Sequence, residues 1–271
     1  MKAGLVSLAA VIVAAVMVQQ RGGFEWALRH MAQQRQDDSL DGVVLPENVF
    51  SAASLREHDG TDPDKPLLLC VLGEVFDVSS GAKFYGKGEG YNIFLGQDAS
   101  RSFHTGDWQN VRADVADLNV MAISEVVGWR NFYRRHKTYR RIGVMHGLYF
   151  NPDGSPTEML AAVEAKAAEA TAIQDEEDAR SKRFPGCDMM YNASEKRTRI
   201  ACPGDGEARY PRLLTWTHRG TGKEAKRCAC FTGRELSQGT EAAYPPTTGA
   251  VLDVYAGCSP SDRECIVIQN L

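Results

Sequence analysis

Hydrophobic positions change their spacing several times along the chain, and each change predicts a different element. Two short apolar runs, residues 67–72 and 75–78, are separated by Gly73 and Glu74, which predicts a tight β-hairpin. Residues 141–150 return to β character. Spacings of 4, 3, 4 and 3 after a capping Asn119 indicate one helical stripe: Ala122, Val126, Trp129, Tyr133 and His136.

Capping residues predict two short helices in the same part of the chain. We expect Ser51 to cap a helix that extends to His58, before a segment rich in turn formers. We also expect Asp98 to cap a helix that extends to Phe103. Both helices would flank the predicted hairpin.

A longer helix is predicted from two start signals that coincide. Ser155 and Glu158 form a capping box, and Pro156 stands at the first helical position. The pattern extends to about Lys182 and places three apolar residues on one face: Leu160, Val163 and Ala167. A solvated connecting helix is the favoured interpretation, and a partner-binding helix is the alternative.

The N-terminus has the layout of a secretory signal. Lys2 is followed by an uncharged apolar stretch, Ala3–Val18, and then by polar residues. The stretch is somewhat shorter than the ~20 residues of a membrane span. Residues 1–22 therefore read as a cleaved signal peptide or a retained signal anchor, which would give membrane contact, with a buried core helix as the remaining alternative. Residues 23–46 read as a stalk.

Composition narrows the classes of protein that remain. The 271 residues are 43% hydrophobic and 24% charged, which excludes disorder throughout the chain. The formal net charge of −4 lacks the basic surplus of a nucleic-acid-binding protein. No Ser-His-Asp, paired-carboxylate or phosphate-loop signature rises above chance, so we expect no enzyme.

Cysteines are concentrated in the last part of the chain. Cys70 lies in an apolar strand run and is expected to be a buried free thiol. The other six all follow residue 186: Cys187, Cys202, Cys228, Cys230, Cys258 and Cys265. The absence of C-x-x-C pairs favours three disulfides over a metal or redox site. Cys228 and Cys230 are too close to pair readily with each other, and the pairing otherwise stays open.

The cysteines also bear on the compartment. Clustered cysteines suit an oxidising environment, and Asn192-Ala193-Ser194 is an N-glycosylation acceptor beside them. Together with the N-terminal segment, they predict a secreted protein or one in the endomembrane lumen.

Two motifs carry a family resemblance. A Y-G-x-G-x-G-Y run spans Tyr85–Tyr91, and a G-x-D-A-S-R run spans Gly96–Arg101. With these motifs, residues 47–150 resemble the haem/steroid-binding domain of the membrane-associated progesterone receptor family, a branch of the cytochrome b5-like fold. The resemblance implies an α+β chain: this domain, a connecting helix over residues 151–183 and a disulfide-rich module over residues 184–271.

The resemblance also implies a site for non-covalent, b-type haem. It makes Tyr91 the axial ligand of the iron, places Tyr85 and Tyr139 along the same haem edge, and adds Arg101 to the cofactor-binding set. Thr138 stands where the family often has lysine, so one cationic partner for the propionates is missing. Other cations nearby are candidates to replace it: Lys137, Arg140 and Arg141. Without the resemblance, half-buried structural tyrosines remain the simpler interpretation.

Histidines give little support to a cytochrome b5 proper, because the H-P-G-G turn is absent. His104 follows the second motif but is better interpreted as a surface or capping residue, and His136 as packing. A basic run is interpreted as a solvated helix face with propionate contacts, with anionic lipid as the alternative: Arg130, Arg134, Arg135, Lys137, Arg140 and Arg141.

Three functions therefore stand as hypotheses. The leading one is a non-enzymatic, haem-dependent binding or signalling factor, for which the resemblance implies a role in neural differentiation. The second is a haem electron carrier for a lumenal oxidoreductase. The third is a haem-free module that binds a sterol or a protein partner in the same groove.

Overall fold

The computed structural model describes residues 45–204, 206–239, 244 and 246–268. The chain forms two compact units that divide between Glu169 and Ala170. The expected signal segment and nearly all of the expected stalk lie outside the described residues. Among the residues described, the helices are all too short or too polar to cross a membrane. The domain boundaries drawn from the sequence stay predictions.

Unit 1 combines a four-stranded sheet with helices. Its helices and strands in chain order are β1 (Val49–Phe50), α1 (Ala52–Arg56), β2 (Leu68–Val71), β3 (Glu74–Asp77), α2 (Ala82–Tyr85), α3 (Ser102–Thr105), α4 (Val120–Arg135), β4 (Arg140–Met145) and the first part of α5 (Glu158–Arg183). The strand order is β1-β4-β3-β2, with β1 parallel to β4 and the other neighbours antiparallel. Mixed helix and strand content confirms the α+β class.

The predicted hairpin is confirmed as β2 and β3. The chain turns at Leu72 and Gly73, which both have positive φ, 51° and 73°. Apolar residues on β2 and β3 are buried, and so is the stripe on α4 at Ala122, Val126 and Tyr133. Asn119 caps α4 as expected, because its side chain accepts a hydrogen bond from the Ala122 N–H.

Asp98 has a different role from the predicted one. Helix α3 begins at Ser102, and the buried Asp98 carboxylate accepts hydrogen bonds from the backbone N–H groups of Gly73 and Ser100 and from the Ser100 hydroxyl. The expectation of a helix cap was therefore wrong: Asp98 holds the hairpin turn. The pKa of this carboxyl group is raised, because the effect of burial exceeds the opposing effect of the hydrogen bonds. Cys70 is a buried free thiol, as expected.

The long helix α5 begins at Glu158, later than the capping box predicted. Pro156 instead pairs with Phe150 in an isolated antiparallel bridge, and the Thr157 hydroxyl accepts a hydrogen bond from the Leu160 N–H. The apolar face of the first turns, Leu160, Val163 and Ala167, is buried in the core of unit 1. A purely solvated connecting helix is thus wrong for this part of α5.

Unit 2 contains the rest of α5 and two three-stranded antiparallel sheets. Its other elements are β5 (Asp188–Asn192), β6 (Arg197–Ala201), β7 (Arg209–Thr217), β8 (Glu224–Thr232), α6 (Gly233–Ser237), β9 (Val251–Asp253) and β10 (Glu264–Ile268). The strand orders are β10-β6-β5 and β8-β7-β9.

Three disulfides crosslink unit 2, which confirms the structural interpretation of the cysteines. The pairs are Cys187–Cys228, Cys202–Cys230 and Cys258–Cys265. Cys228 and Cys230, on one face of β8, therefore reach different partners, as expected. Sulfur atoms of three of these residues lie within 4.8 Å of one another because two disulfides are neighbours.

The disulfides are expected to contribute unequally to stability. Cys187 and Cys228 are separated by 41 residues, whereas Cys258 and Cys265 are separated by only 7. Because a longer closed loop removes more entropy from the unfolded chain, replacing the first pair by alanines should cost about 1.5 kcal/mol more than replacing the second. Denaturant unfolding of the two double variants measures this difference. Equal losses would contradict the loop-entropy explanation.

Candidate functional site

Unit 1 has a pocket of about 590 Å³ whose lining residues all carry rings. Ten are aromatic and one is a histidine: Phe84, Tyr85, Tyr91, Phe94, Phe103, Trp108, Trp129, Phe132, Tyr133, His136 and Tyr139. None of these side chains is a lysine, an arginine or a carboxylate. The pocket therefore offers flat apolar surfaces and a few hydroxyl and imidazole groups.

The rings come from several elements around the pocket, including α4, which supplies Trp129, Phe132 and Tyr133. Helix α2 supplies Tyr85, a 3₁₀ turn over Asn92–Phe94 supplies Phe94, and α3 supplies Phe103. Phe94 and Phe103 stack with ring centroids 4.5 Å apart, and Trp108 meets Phe94 edge-on at 5.0 Å. Such contacts fix the ring planes before any ligand binds.

Tyr91 lies at the exposed side of this pocket. Its side chain is 52% exposed, and its ring packs 5.9 Å from Tyr85 and 6.0 Å from Phe94. Its backbone N–H donates to the Phe84 carbonyl at 3.1 Å, which anchors the Gly-rich segment. Within the described part of the chain, its hydroxyl has no hydrogen-bond partner. The Tyr91 hydroxyl oxygen is thus available as a ligand atom at the pocket.

Tyr85, six residues earlier, is placed differently. It is buried, and its hydroxyl lies 2.9 Å from the Tyr133 hydroxyl. Burial raises the pKa of Tyr85 to about 12, and burial also raises the pKa of Tyr133. Both therefore stay neutral phenols near neutral pH. The two motif tyrosines thus differ: one is an inner, hydrogen-bonded phenol and the other is accessible.

Tyr139 also lies in the pocket and is buried. Its ring stacks on His136, with centroids 3.7 Å apart and planes 14° apart. Gly81 makes room for it, because a Cβ atom at Gly81 would lie 2.5 Å from the Tyr139 hydroxyl oxygen. The structure thus brings together three of the four residues named from the sequence: Tyr85, Tyr91 and Tyr139.

Arg101, the fourth, does not line the pocket. Its guanidinium donates to both carboxylate oxygens of Asp117, at 2.5 and 3.0 Å, and to the Asp114 carbonyl at 3.1 Å. This paired geometry accounts for the arginine as a support of the loop before α4. His104 is also outside the pocket lining, since its Nδ1 pairs with Glu125 at 2.6 Å.

The basic run divides into paired and available cations. Arg130 is buried against Glu164, and Arg134 and Arg141 both contact the buried Glu74. Two other cations, Arg135 and Lys137, line an open depression of about 780 Å³ that shares two residues with the aromatic pocket: Phe132 and His136. The apolar pocket therefore continues into a rim with positive charge.

Several pocket residues escaped the sequence analysis. Five lining residues carried no signal of a shared site, because they are spread over about 50 positions of the chain: Phe84, Phe94, Phe103, Trp108 and Phe132. His136 was interpreted as packing, yet it lines both the pocket and the depression. The one signal that could have found more of them is the density of aromatic residues around the two motifs.

Comparison with known proteins places this geometry in a family. Residues 51–147 match the description "Cytochrome b5-like Heme/Steroid binding domain". The chain is 32% identical to "Membrane-associated progesterone-binding protein 4" of Arabidopsis thaliana, with 82% of this chain and 84% of that protein covered. It is 30% identical to "Neuferricin homolog" of Drosophila melanogaster, covering 94% and 93%, and 35% identical to "Neuferricin" of Mus musculus, covering 80% and 85%. A solved Arabidopsis thaliana protein described as having a cytochrome b5 like fold is 30% identical and covers 38% of this chain and 97% of that one, with a TM-score of 0.34.

The fold and the matched residues define unit 1 as a cytochrome b5-like heme/steroid-binding domain. The chain belongs to the membrane-associated progesterone receptor family, with neuferricin and its homologues among its relatives over most of its length. The family resemblance inferred from the two motifs is thereby confirmed.

Proposed function

We propose that unit 1 binds haem non-covalently, with the Tyr91 phenol oxygen as the axial ligand of the iron. The observation that carries this proposal is the unpartnered Tyr91 hydroxyl at an aromatic pocket of about 590 Å³. That volume lies within the ~300–1,000 Å³ of typical cofactor sites. Tyrosine oxygen is an established type of haem ligand. The description of the matched domain, which names heme and steroid binding, supports haem as the bound group.

The residues of the pocket divide the work of binding. The stacked rings of Phe94 and Phe103 provide flat apolar surface for a planar ligand. The hydroxyl groups of Tyr85 and Tyr133 are hydrogen-bonded to each other, so the inner wall of the pocket presents neutral groups. When bound, haem would supply a redox-active iron, which the Tyr91 oxygen would hold. Tyr91 is suited to ligation because its oxygen is accessible and uncommitted.

Arg135 and Lys137 are proposed to receive the propionates. Of the basic run, Arg135 and Lys137 line the depression next to the pocket. Arg141, by contrast, is paired with Glu74. Replacing both by glutamine is expected to weaken haem binding by up to about thirtyfold, since each of the two exposed ion pairs contributes at most about 1 kcal/mol. Lys182→Gln, at the end of α5, is the control. The dimethyl ester of haem lacks the propionate charges. The double variant should therefore bind haem and its dimethyl ester with equal affinity, and a preference for haem as large as in wild type would contradict this role.

The direct test of the proposed function is an absorption titration of the full chain with ferric haem. A saturable 1:1 complex with a high-spin, oxygen-ligated spectrum is expected. Metal-free protoporphyrin is the matched probe, because it retains the flat ring and the propionates but cannot be ligated. Failure of the chain to bind haem would overturn the proposal, whereas equal affinity for both probes would overturn ligation alone.

A steroid ligand is the second candidate, and the pocket lining favours it specifically. None of the described lining residues bears a lysine, arginine or carboxylate, and this suits a neutral apolar molecule. Competition between a steroid and haem in the same titration separates the two. An electron carrier with two histidine ligands has less support, since His136 is the one histidine among the described residues of the lining.

We also propose that the protein is non-enzymatic and acts in the secretory pathway or outside the cell. Three disulfides in unit 2 support an oxidising compartment. The role in neural differentiation implied by the family resemblance belongs to this proposal. Mass spectrometry of the chain recovered from the medium and from the cells tests secretion and signal cleavage together. An intact N-terminus on cell-bound protein would contradict cleavage and favour the anchor.

A further inference from the structure

The turn between β5 and β6 carries a sequence motif that haem binding does not use. β5 ends at Asn192, β6 begins at Arg197, and the residues between them are exposed. The Ser194 backbone N–H and hydroxyl both donate to Asn192 Oδ1, at 3.1 and 2.7 Å. The Asn192 side chain is exposed at a hairpin tip, and its Nδ2 has no hydrogen-bond partner within the described residues. The acceptor triplet Asn192-Ala193-Ser194 is therefore accessible.

The strand register shows which face of the sheet Asn192 occupies. Asn192 pairs with Arg197, and Arg197 pairs with Ile268 on β10. Met190, Arg199 and Ile266 form the next row on the same face, because alternate residues of a strand point to the same side. On the opposite face the β6 residues Ile200 and Thr198 are buried, whereas Met189 and Tyr191 on the edge strand β5 are exposed. Asn192 thus stands at the corner of the exposed face.

That face carries three exposed apolar side chains beside the arginines of β6. Met190, Ile266 and Ile268 are 63%, 53% and 61% exposed, and Arg199 lies between Met190 and Ile266 and pairs with Glu264. β5 is also an edge strand of its sheet, because β6 is its one neighbouring strand among the described residues. An exposed edge with apolar side chains promotes association between copies of a chain unless something covers it.

We propose that Asn192 carries an N-linked glycan that extends over this apolar face. The inference rests on the lumenal location in the proposed function. The donor is an oligosaccharide linked to a lipid pyrophosphate: a bond forms between Asn192 Nδ2 and the sugar C1 as the C1–O bond to the pyrophosphate breaks, and Nδ2 loses one proton. A hydrated glycan at Asn192 adds polar cover over Met190, Ile266 and Ile268, beyond the contact of Arg199 with Met190.

The test uses the full chain made in secretory eukaryotic cells and treated with peptide N-glycosidase. Wild type is expected to lose the mass of one glycan. Asn192→Gln and Ser194→Ala should lose no mass on this treatment, whereas Ser194→Thr should lose the mass of one glycan as wild type does. Arg112→Thr, which completes a second acceptor triplet at the exposed Asn110, reports entry into the lumen in the Asn192→Gln background.

The outcomes separate the glycan from the compartment. An unmodified wild type together with a glycosylated Arg112→Thr reporter would overturn the glycan while leaving the lumenal location intact. Absence of glycan from both would overturn the location and the glycan together, whereas haem binding would still stand. Sedimentation tests the covering role: deglycosylated chain should self-associate more than glycosylated chain. In the Ile266→Lys variant, deglycosylation should no longer increase self-association. Equal sedimentation of the two forms would overturn the covering role.

Discussion

The Tyr91→Phe variant is expected to lose at least tenfold in affinity for ferric haem while it keeps its fold. The substitution removes one oxygen atom, and that atom has no hydrogen-bond partner among the described residues whose loss could disturb the domain. The ring contacts to Tyr85 and Phe94 remain available to phenylalanine. A tenfold loss corresponds to about 1.4 kcal/mol of binding free energy. Absorption titration of the full-length variant measures it.

Two comparisons make the Tyr91→Phe result specific. Tyr191→Phe removes the hydroxyl of another exposed tyrosine, on β5 in unit 2, and should leave haem affinity unchanged. Metal-free protoporphyrin should bind wild type and Tyr91→Phe alike, since it requires the rings but no ligand. Wild-type haem affinity and an unaltered spectrum in Tyr91→Phe would assign the axial ligand to another residue.

Gly143→Ala is expected to lower the free energy of unfolding of unit 1 by about 3 kcal/mol, the upper end of ordinary overpacking. Gly143 lies on β4, directly beside the parallel strand β1. A Cβ atom there would clash with the Asn48 carbonyl oxygen and lie 2.9 Å from the Phe50 ring. Because the obstacle is mainly backbone, relief requires β1 to move away from β4. Denaturant unfolding followed by tryptophan fluorescence measures the loss.

Gly128→Ala is the matched control for Gly143→Ala. Gly128 lies within α4, and a Cβ atom there would meet nothing within 4 Å. Removing a helical glycine should therefore raise the free energy of unfolding by roughly 0.5–1 kcal/mol. The same change of one methyl group thus has opposite expected signs at the two positions. Destabilisation of equal size in both variants would contradict the packing explanation.

The candidate site was predicted from the sequence where the signal was local. The run Tyr85–Tyr91 combines closely spaced glycines with two tyrosines, and both tyrosines lie at the pocket. Arg101 was grouped with them because it ends the second motif, yet its guanidinium binds Asp117. A motif shows which residues occur together, but the direction of a long side chain depends on its neighbours in space.

The same limit applies to the start of α5. The capping box at Ser155 and the proline after it are sound local signals, but the helix begins at Glu158. Pro156 is instead held by a bridge to Phe150, a residue of the chain segment before the turn. A tertiary contact thus overrode a local preference whose free energy is only about 1 kcal/mol.

Elements with short-range signals were predictable from the amino-acid order: the β2–β3 hairpin, the Asn119 cap of α4, the α5 apolar face and the clustered cysteines. The pairing of those cysteines, the contrast between inner Tyr85 and accessible Tyr91, and the assembly of the aromatic pocket became known from the folded chain. Hydrophobic spacing and capping depend on neighbours along the chain, whereas burial and contact depend on neighbours in space.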